Sequence, residues 1–316
     1  SEIVEYWIAA AKTVQDDKAL NQIVREESAT RLLASTGSYW EAWLDKEARD
    51  LSPLSSELQT LYKKSLLVMR AHADNRGGII ASSDTDMLHH GRDCYSYVWP
   101  RDAALIAHAF DQAGYSSVAR RCYEFFSRCQ EPEGYLMHKY RSDGALGSSW
   151  HPWVLDGEAI LPIQEDETAT VLYALYKHYL EQKDLEFIES LYDSFIEPAA
   201  YFLVSYIEPT TGLPQSSFDL WEEKYGTSTY TTASVCAALS AAAFFAVTLG
   251  KDADARSFEA AANRMRDAII EYLYDEQSET FLKHITVSDD QEIVADKTLD
   301  VSSLHGLLFF KVMDVS

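Results

Sequence analysis

Phe218, Asp219, Leu220, Trp221, Glu222 and Glu223 set three carboxyl groups around one indole. Those side chains suit a sugar and a proton. An aromatic ring covers the C–H face of a pyranose and a carboxylate accepts hydrogen bonds from its hydroxyls. A second carboxyl, kept protonated by its surroundings, can protonate a glycosidic oxygen. The run follows a loop containing Pro209, Gly212 and Pro214 and precedes a long apolar stretch that reads as a helix.

Two further clusters are placed the same way. Tyr95, Ser96, Tyr97, Val98, Trp99, Pro100, Arg101 and Asp102 open a helix from Ala103. Asp102 fits either a helix cap beside a structural ion pair or, with Arg101 pointing into the loop cavity, a bidentate clamp on vicinal hydroxyls. Leu161, Pro162, Ile163, Gln164, Glu165, Asp166 and Glu167 stand at the entrance of another apolar helix. The positive end of a helix favours acidic residues in its first turn. An extended approach would also aim Gln164 and Asp166 into one cavity. Trp150 and Trp153, on the long loop before Gln164, fit either a platform for a neighbouring sugar or a plug that fixes the loop. Each of the three clusters lies at the loop-to-helix start of a successive helical hairpin, so they are expected to meet at one face.

Helices must carry these loops. Apolar stripes at helical spacing recur at Leu58–Met69, Leu105–Phe110, Val118–Phe126, Val171–Tyr179, Leu191–Ile207, Val235–Leu249, Phe258–Leu273 and Leu304–Val312, about eight helices after residue 50 by this criterion. Strand signals are short, at Gly78–Ala81 and Thr280–Val287. Residues 1–52 read as a linker or the tail of another domain, with one helix over Val4–Arg25, and residues 53–316 as the main domain. The long loops at 75–99, 132–164 and 208–221 are of the kind that carries function in a helical domain.

The chain has 316 residues, 47% of them apolar, enough for a substantial core. Its net charge of -23, from 50 acidic and 27 basic residues, repels nucleic acid and anionic lipid, so neither is expected as a partner. The acidic excess fits a solvated surface or a salty cytoplasm. No run reads as the roughly 20 apolar residues of a membrane span, and Ser1–Glu5 lacks the basic and apolar start of an export signal, which points to the cytoplasm. Cys94, Cys122, Cys129 and Cys236 have no CxxC spacing and read as free thiols. His89, His90, His108, His138, His151 and His178 show neither HExxH spacing nor an acidic partner nearby in sequence. They read as surface or core residues; no metal and no cofactor are expected.

Trp99-Pro100-Arg101-Asp102, Gln164-Glu165-Asp166-Glu167 and Asp219-Leu220-Trp221-Glu222-Glu223, in this order and spacing, resemble glycoside hydrolase family 15, the glucoamylase and glucodextranase family. Asp74-Asn75-Arg76-Gly77-Gly78-Ile79-Ile80 resembles its prokaryotic and archaeal branch. The resemblance implies an all-α fold, an (α/α)6 toroid of six inner and six outer helices. It also implies inverting release of glucose from the non-reducing end of an α-glucan or oligosaccharide. By the same resemblance Glu222 is the general acid, Arg101 and Asp102 clamp the terminal glucose, and Tyr95, Trp99, Asp219, Trp221 and Glu223 line or support the first subsite. Gln164 and Asp166 fall in a segment whose role in the family is more often structural.

An inverting hydrolase also needs a second carboxylate, roughly 6.5–9.5 Å away, to activate water. The family's general base follows further helices, and no match to it is found here. The chain therefore reads as part of a longer protein with an incomplete toroid. Apolar faces near Val235 and Leu307 are then expected to be exposed, inviting self-association or packing with the missing parts. Two other functions compete: a noncatalytic carbohydrate-binding or regulatory relative, and a helical solenoid interaction protein. The solenoid requires Arg101, Asp102 and Glu222 to lie far apart.

Overall fold

A computed structural model describes residues 4–47, 49–83, 94–148, 153–155, 157–288 and 290–313. The chain divides into two compact units, Ser1–Arg70 and Ala71–Ser316. In the first unit, α1 (Val14–Glu26) and α2 (Ala29–Asp45) each start at a hydroxyl: Thr13 accepts from Asp16 N and Ser28 from Arg31 N, both at 3.2 Å. Trp7 donates its indole N–H to Asn21 at 3.0 Å. The segment expected to be a linker is thus largely two capped helices, and the first begins at its cap rather than at Val4. Most of α3 (Ser56–His72) completes this unit.

The second unit is built from helical hairpins. Its elements are α4 (Pro100–Gln112), α5 (Ser116–Cys129), α6 (Glu165–Gln182), α7 (Leu185–Leu191), α8 (Glu197–Ser205), α9 (Thr229–Thr248), α10 (Asp252–Leu273) and α11 (Val301–Phe309). A π-helical turn at Tyr192–Ile196 joins α7 to α8, just before Pro198, which has no N–H to give to the preceding turn. Of the apolar stripes read from the sequence, Leu58–Met69 lies on α3 of the first unit and the others fall on these helices, with Leu191–Ile207 broken by the π-helical turn and Leu304–Val312 running past the end of α11.

Burial sorts them into two layers. Helix α9 is apolar all round and buried on nearly all sides, and α6 buries its first eleven residues, so both belong inside. Helices α4, α6, α9 and α11 neighbour one another in that order. Arg101 pairs with Asp166 near the starts of α4 and α6, and Asp111 pairs with His178 near their ends, so these two run parallel. Along α6 and α9, Tyr176 and Tyr179 meet Phe244 and Phe245, continuing the same direction. Helices α5, α8 and α10 lie against this inner row and bury one face each.

With 20 residues of mean hydropathy 1.6, α9 is long and apolar enough to cross a bilayer, contrary to the sequence expectation. Its apolarity is accounted for by burial on nearly all sides within this unit.

The strands are short. β1 (Val154–Leu155) pairs β2 (Glu158–Ala159), and β5 (Tyr274–Asp275) pairs β6 (Thr280–Phe281). β3 (Ser217–Phe218), β4 (Tyr225–Ser228), β7 (His284–Val287) and β8 (Ile293–Asp296) form an antiparallel sheet in the order β3-β4-β7-β8. Phe218 stands opposite Tyr225, and Ser228 opposite His284. Ile79 makes only an isolated bridge to Ala73, while Gly77 lies so close to α5 that an added Cβ would fall 1.9 Å from the Arg121 carbonyl oxygen.

Val235 and Leu307 are buried, contrary to expectation. The reason is a close approach of α11 to α9: Gly306 has no Cβ, and one added there would sit 3.1 Å from Tyr230 Cα. The exposed apolar stripe is on the other face of α11, at Val301, Leu304 and Leu308.

Candidate active site

The inner helices α4, α6, α9 and α11 begin at the same end, and the residues just before or within their first turns assemble there. Three of the four loops are those singled out in the sequence. The fourth, leading into α11, contributes Asp300.

The hairpin loop between β3 and β4 carries the central carboxyl. Asp219 organises it: its N–H donates to the Lys224 carbonyl at 2.8 Å, its own carbonyl accepts from Glu222 N at 2.8 Å, and its Oδ1 accepts from Glu223 N at 2.9 Å. The turn forces Glu222 into the left-handed region at φ 56°. A non-glycine residue there is strained, and such strain concentrates at functional sites. Glu222 and Glu223 diverge because of this turn. Glu222 points inward, its side chain 13% exposed, and Oε1 accepts from the Trp99 indole N–H at 3.0 Å with His138 Nε2 3.6 Å away. Glu223 stays 63% exposed and reaches Lys283 at 3.3 Å.

Lys283 is the hub of that outer side. Its Nζ lies 3.2 Å from Asp219 Oδ2, 3.3 Å from Glu223 Oε2 and 3.3 Å from Asp300 Oδ2. Burial works to lower the Lys283 pKa, but hydrogen bonds and charge from Asp219, then Asp300 and Glu223, outweigh it and hold it at about 12. Asp300 caps α11 by accepting from Ser302 N at 2.8 Å and takes the Trp221 indole N–H at 3.1 Å. Burial pushes the Asp300 carboxyl up, yet the Ser302, Lys283 and Trp221 bonds bring it below its ordinary range. Trp221 is held by its edge and half exposed, which leaves ring surface open to solvent.

The α4 and α6 starts lock together beneath. Arg101 NH1 bonds Asp166 Oδ2 at 2.8 Å and lies 3.1 Å from Glu167 Oε1, while Arg101 N donates to Glu167 Oε2 at 2.6 Å. The start of α4 is therefore capped by Glu167 of the neighbouring helix, not by Asp102. Burial opposes the Arg101 charge, but Glu167 and Asp166 outweigh it and keep the guanidinium protonated. The same burial drives the Glu167 carboxyl well above the usual carboxylate range, with Arg101 offsetting part. Asp102 keeps its carboxylate 44% exposed, 3.7 Å from Arg101 NH2. It is the member of the pair available to a hydroxyl.

Gln164 and Asp166 are both buried and turn to different partners, so they do not line one cavity. Asp166 faces Arg101. Gln164 Nε2 donates to the carbonyls of Phe218 and Asp219 at 2.9 and 3.1 Å, and its Oε1 is 2.6 Å from His138 Nδ1. Tyr95 packs beside Trp99 at 5.9 Å between ring centroids. Trp153 is buried, its ring 5.6 Å from His138 and 5.1 Å from Phe218, the plug alternative of the two open for it. Trp150 lies outside the described residues. Among the described residues, no group of three His, Cys, Asp or Glu is arranged to hold a metal ion.

The sequence model of glycosyl hydrolases family 15 matches residues 57–312, which include every element of this site. The chain belongs to that family. It is 27% identical over 281 residues to an uncharacterised glycosyl hydrolase of Methanocaldococcus jannaschii, covering 88% of this chain and 41% of that protein. Over 278 residues it is 25% identical to a glucoamylase of a Clostridium species, covering 85% and 36%. The chain thus spans about two fifths of the length of these relatives. In structure it is similar to a bacterial glucoamylase solved with acarbose, at TM-score 0.74 and 20% identity over 95% of this chain and 44% of that one. The glucoamylase of Saccharomycopsis fibuligera is a more distant likeness, at TM-score 0.54. These likenesses bear out the (α/α)6 fold expected of family 15.

The family-15 loops were legible from residue type, but three partners were not. His138 was set aside for want of an acidic neighbour in sequence, and its neighbour Glu222 is 84 positions on. Lys283 sits before a short strand and Asp300 before a helix, with only the N-cap pattern at Asp300 as a signal. His178, likewise set aside, pairs with Asp111 at 2.8 Å, away from the site. Arg101, Asp102 and Glu222 come together through Trp99, which is the opposite of what a solenoid would require.

Proposed function

We propose that the intact protein is an inverting, exo-acting glycoside hydrolase of glucoamylase type, releasing glucose from the non-reducing end of α-glucans or oligosaccharides, with Glu222 as the general acid. The observation that carries this reading is the largely buried Glu222 carboxyl at the mouth of the inner helices, held between Trp99 and His138 on a strained turn. A general acid must be aimed, shielded and supported, and Glu222 is all three. Asp102, half exposed and oriented by Arg101, accepts hydrogen bonds from the terminal sugar, and Trp221 offers its exposed face to the ring. Asp219, Lys283 and Asp300 hold the hairpin in register. The carboxylate that activates water is proposed to come from the part of the relatives' length that this chain does not span.

Proton NMR on the complete polypeptide with maltooligosaccharides and isomaltooligosaccharides tests this. Glucose should appear first as the β-anomer. Glu222→Gln should reduce the rate by at least about a thousandfold, a general acid together with its charge, while binding changes little. First appearance of α-glucose, or a Glu222→Gln variant that keeps its activity, would refute it.

A further inference from the structure

His138 is placed so that its protonation is dictated by groups far away in sequence. Gln164 settles the tautomer. Its Nε2 donates to two backbone carbonyls, so the atom 2.6 Å from His138 Nδ1 is the amide oxygen, which can only accept. Nδ1 therefore carries a hydrogen. Nε2, the remaining nitrogen, is turned to Glu222 Oε1 at 3.6 Å, with the imidazole only 2% exposed.

We infer that His138 is a positioning residue that keeps the acid charged with its proton: across neutral pH, Glu222 and His138 Nε2 hold one proton between them. This rests on Glu222 being the general acid. Two forms share that proton, a protonated carboxyl beside an imidazole and a carboxylate beside an imidazolium. Whichever is more populated, both must be emptied before the pair loses it, so the last proton leaves at a higher pH than it would from Glu222 or His138 alone.

Among the described residues, other groups also bear on the pair. The Trp99 N–H on Oε1 favours the carboxylate, and Lys139, its Nζ 4.9 Å from the Trp99 ring centroid, opposes charge on the imidazole. The Gln164 oxygen favours the imidazolium. Trp153 is uncharged, and the Asp219 carboxylate is occupied by Lys283. In turnover Glu222 gives the proton to the glycosidic oxygen as the C–O bond breaks with its electrons on that oxygen, and solvent refills the pair.

The test is an NMR titration of the imidazole in the complete polypeptide, with labelled histidine, for the parent protein and Glu222→Gln. In the parent, His138 should titrate at least about one pH unit higher than in the variant, and in both its neutral form should carry the hydrogen on Nδ1. Equal midpoints, or a neutral form protonated on Nε2, would overturn the inference whether or not the protein hydrolyses glucans. A second arm uses kinetics. His138→Gln should move the alkaline limb of kcat/KM to lower pH by about one unit with KM nearly unchanged. A loss of rate at every pH with the limb in place would show a merely structural role and overturn it. Failure of the enzymatic proposal is seen separately, as activity surviving Glu222→Gln.

Discussion

At the mouth end, α4 and α6 are joined by Arg101 between Asp166 and Glu167; at the far end, the same two helices are joined by Asp111 and His178. Both junctions are buried, yet they are built from different chemistry. The mouth holds a permanent cation that cannot be discharged, amid Glu165, Asp166 and Glu167, three carboxyls in one first turn. The far end holds two groups that can each be neutral. Burial pushes the Asp111 carboxyl above its ordinary range, with the His178 bond offsetting part, and Tyr123 and Phe187 pack on the imidazole. A packing junction needs only a satisfied hydrogen bond. Setting buried carboxyls around one guanidinium makes sense only where the backbone starts of two helices, and the exposed Asp102 beside them, must be held in a fixed place.

The sharpest way to break that contrast is Arg101→Leu. It leaves Asp166 and Glu167 buried without their cation and removes the donor side chain that ties the two helices. Removing one partner of a buried ionic group is worth about 3–5 kcal/mol of stability. Urea unfolding at neutral pH should show a loss of that size. A loss below about 1 kcal/mol would mean the mouth junction is no more demanding than a surface ion pair.

Glu165 sharpens the same contrast through pH. Burial drives its carboxyl from 4.5 up to about 8, with the helix's own N–H and Ser217 offsetting only part. Its folded pKa lies above the unfolded one, so between about pH 4.5 and 8 the folded protein holds a proton that the unfolded chain has released. Stability from this group is therefore full below pH 4.5 and falls as pH rises towards 8. Glu165→Gln fixes the neutral form. Unfolding measured from pH 4.5 to 8 should fall less steeply in the variant, with a difference at pH 8 on the order of a few kcal/mol, since each pK unit is about 1.4 kcal/mol. Parallel curves would show that Glu165 ionises as freely in the fold as in the unfolded chain.

What sequence could and could not show follows the same division. Periodicity reports one chain segment at a time, and the apolar stripes fall on helices, although Leu191–Ile207 is split by a π-helical turn. Residue type marked Trp99, Arg101, Asp102, Asp219 and Glu222 as well, because sugar binding and proton transfer draw on a short menu of side chains. Junctions between segments were hidden. The cap on α4 comes from Glu167, 66 positions away, whereas the sequence offers only the adjacent Asp102 as a candidate cap. The left-handed turn at Glu222 has no glycine or asparagine to announce it; its φ is imposed by Asp219. Thr13 and Ser28, hydroxyl residues just before α1 and α2, are the cap signals that the sequence carries for this region.

The far junction gives the smallest expected effect and the cleanest control. Asp111→Asn keeps an oxygen in reach of His178 Nδ1, 2.8 Å from Asp111 Oδ1 in the parent, and replaces a carboxyl already pushed towards its neutral form by burial. If the Asp111–His178 contact acts as a hydrogen bond between packed helices, the variant changes unfolding by less than about 1 kcal/mol, the net worth of one neutral bond. The pH dependence of any hydrolysis should be untouched, because neither residue lies at the mouth. A loss of about 3 kcal/mol or more would mean that an ion pair operates at this end too, and the two junctions would then differ in ligand count alone.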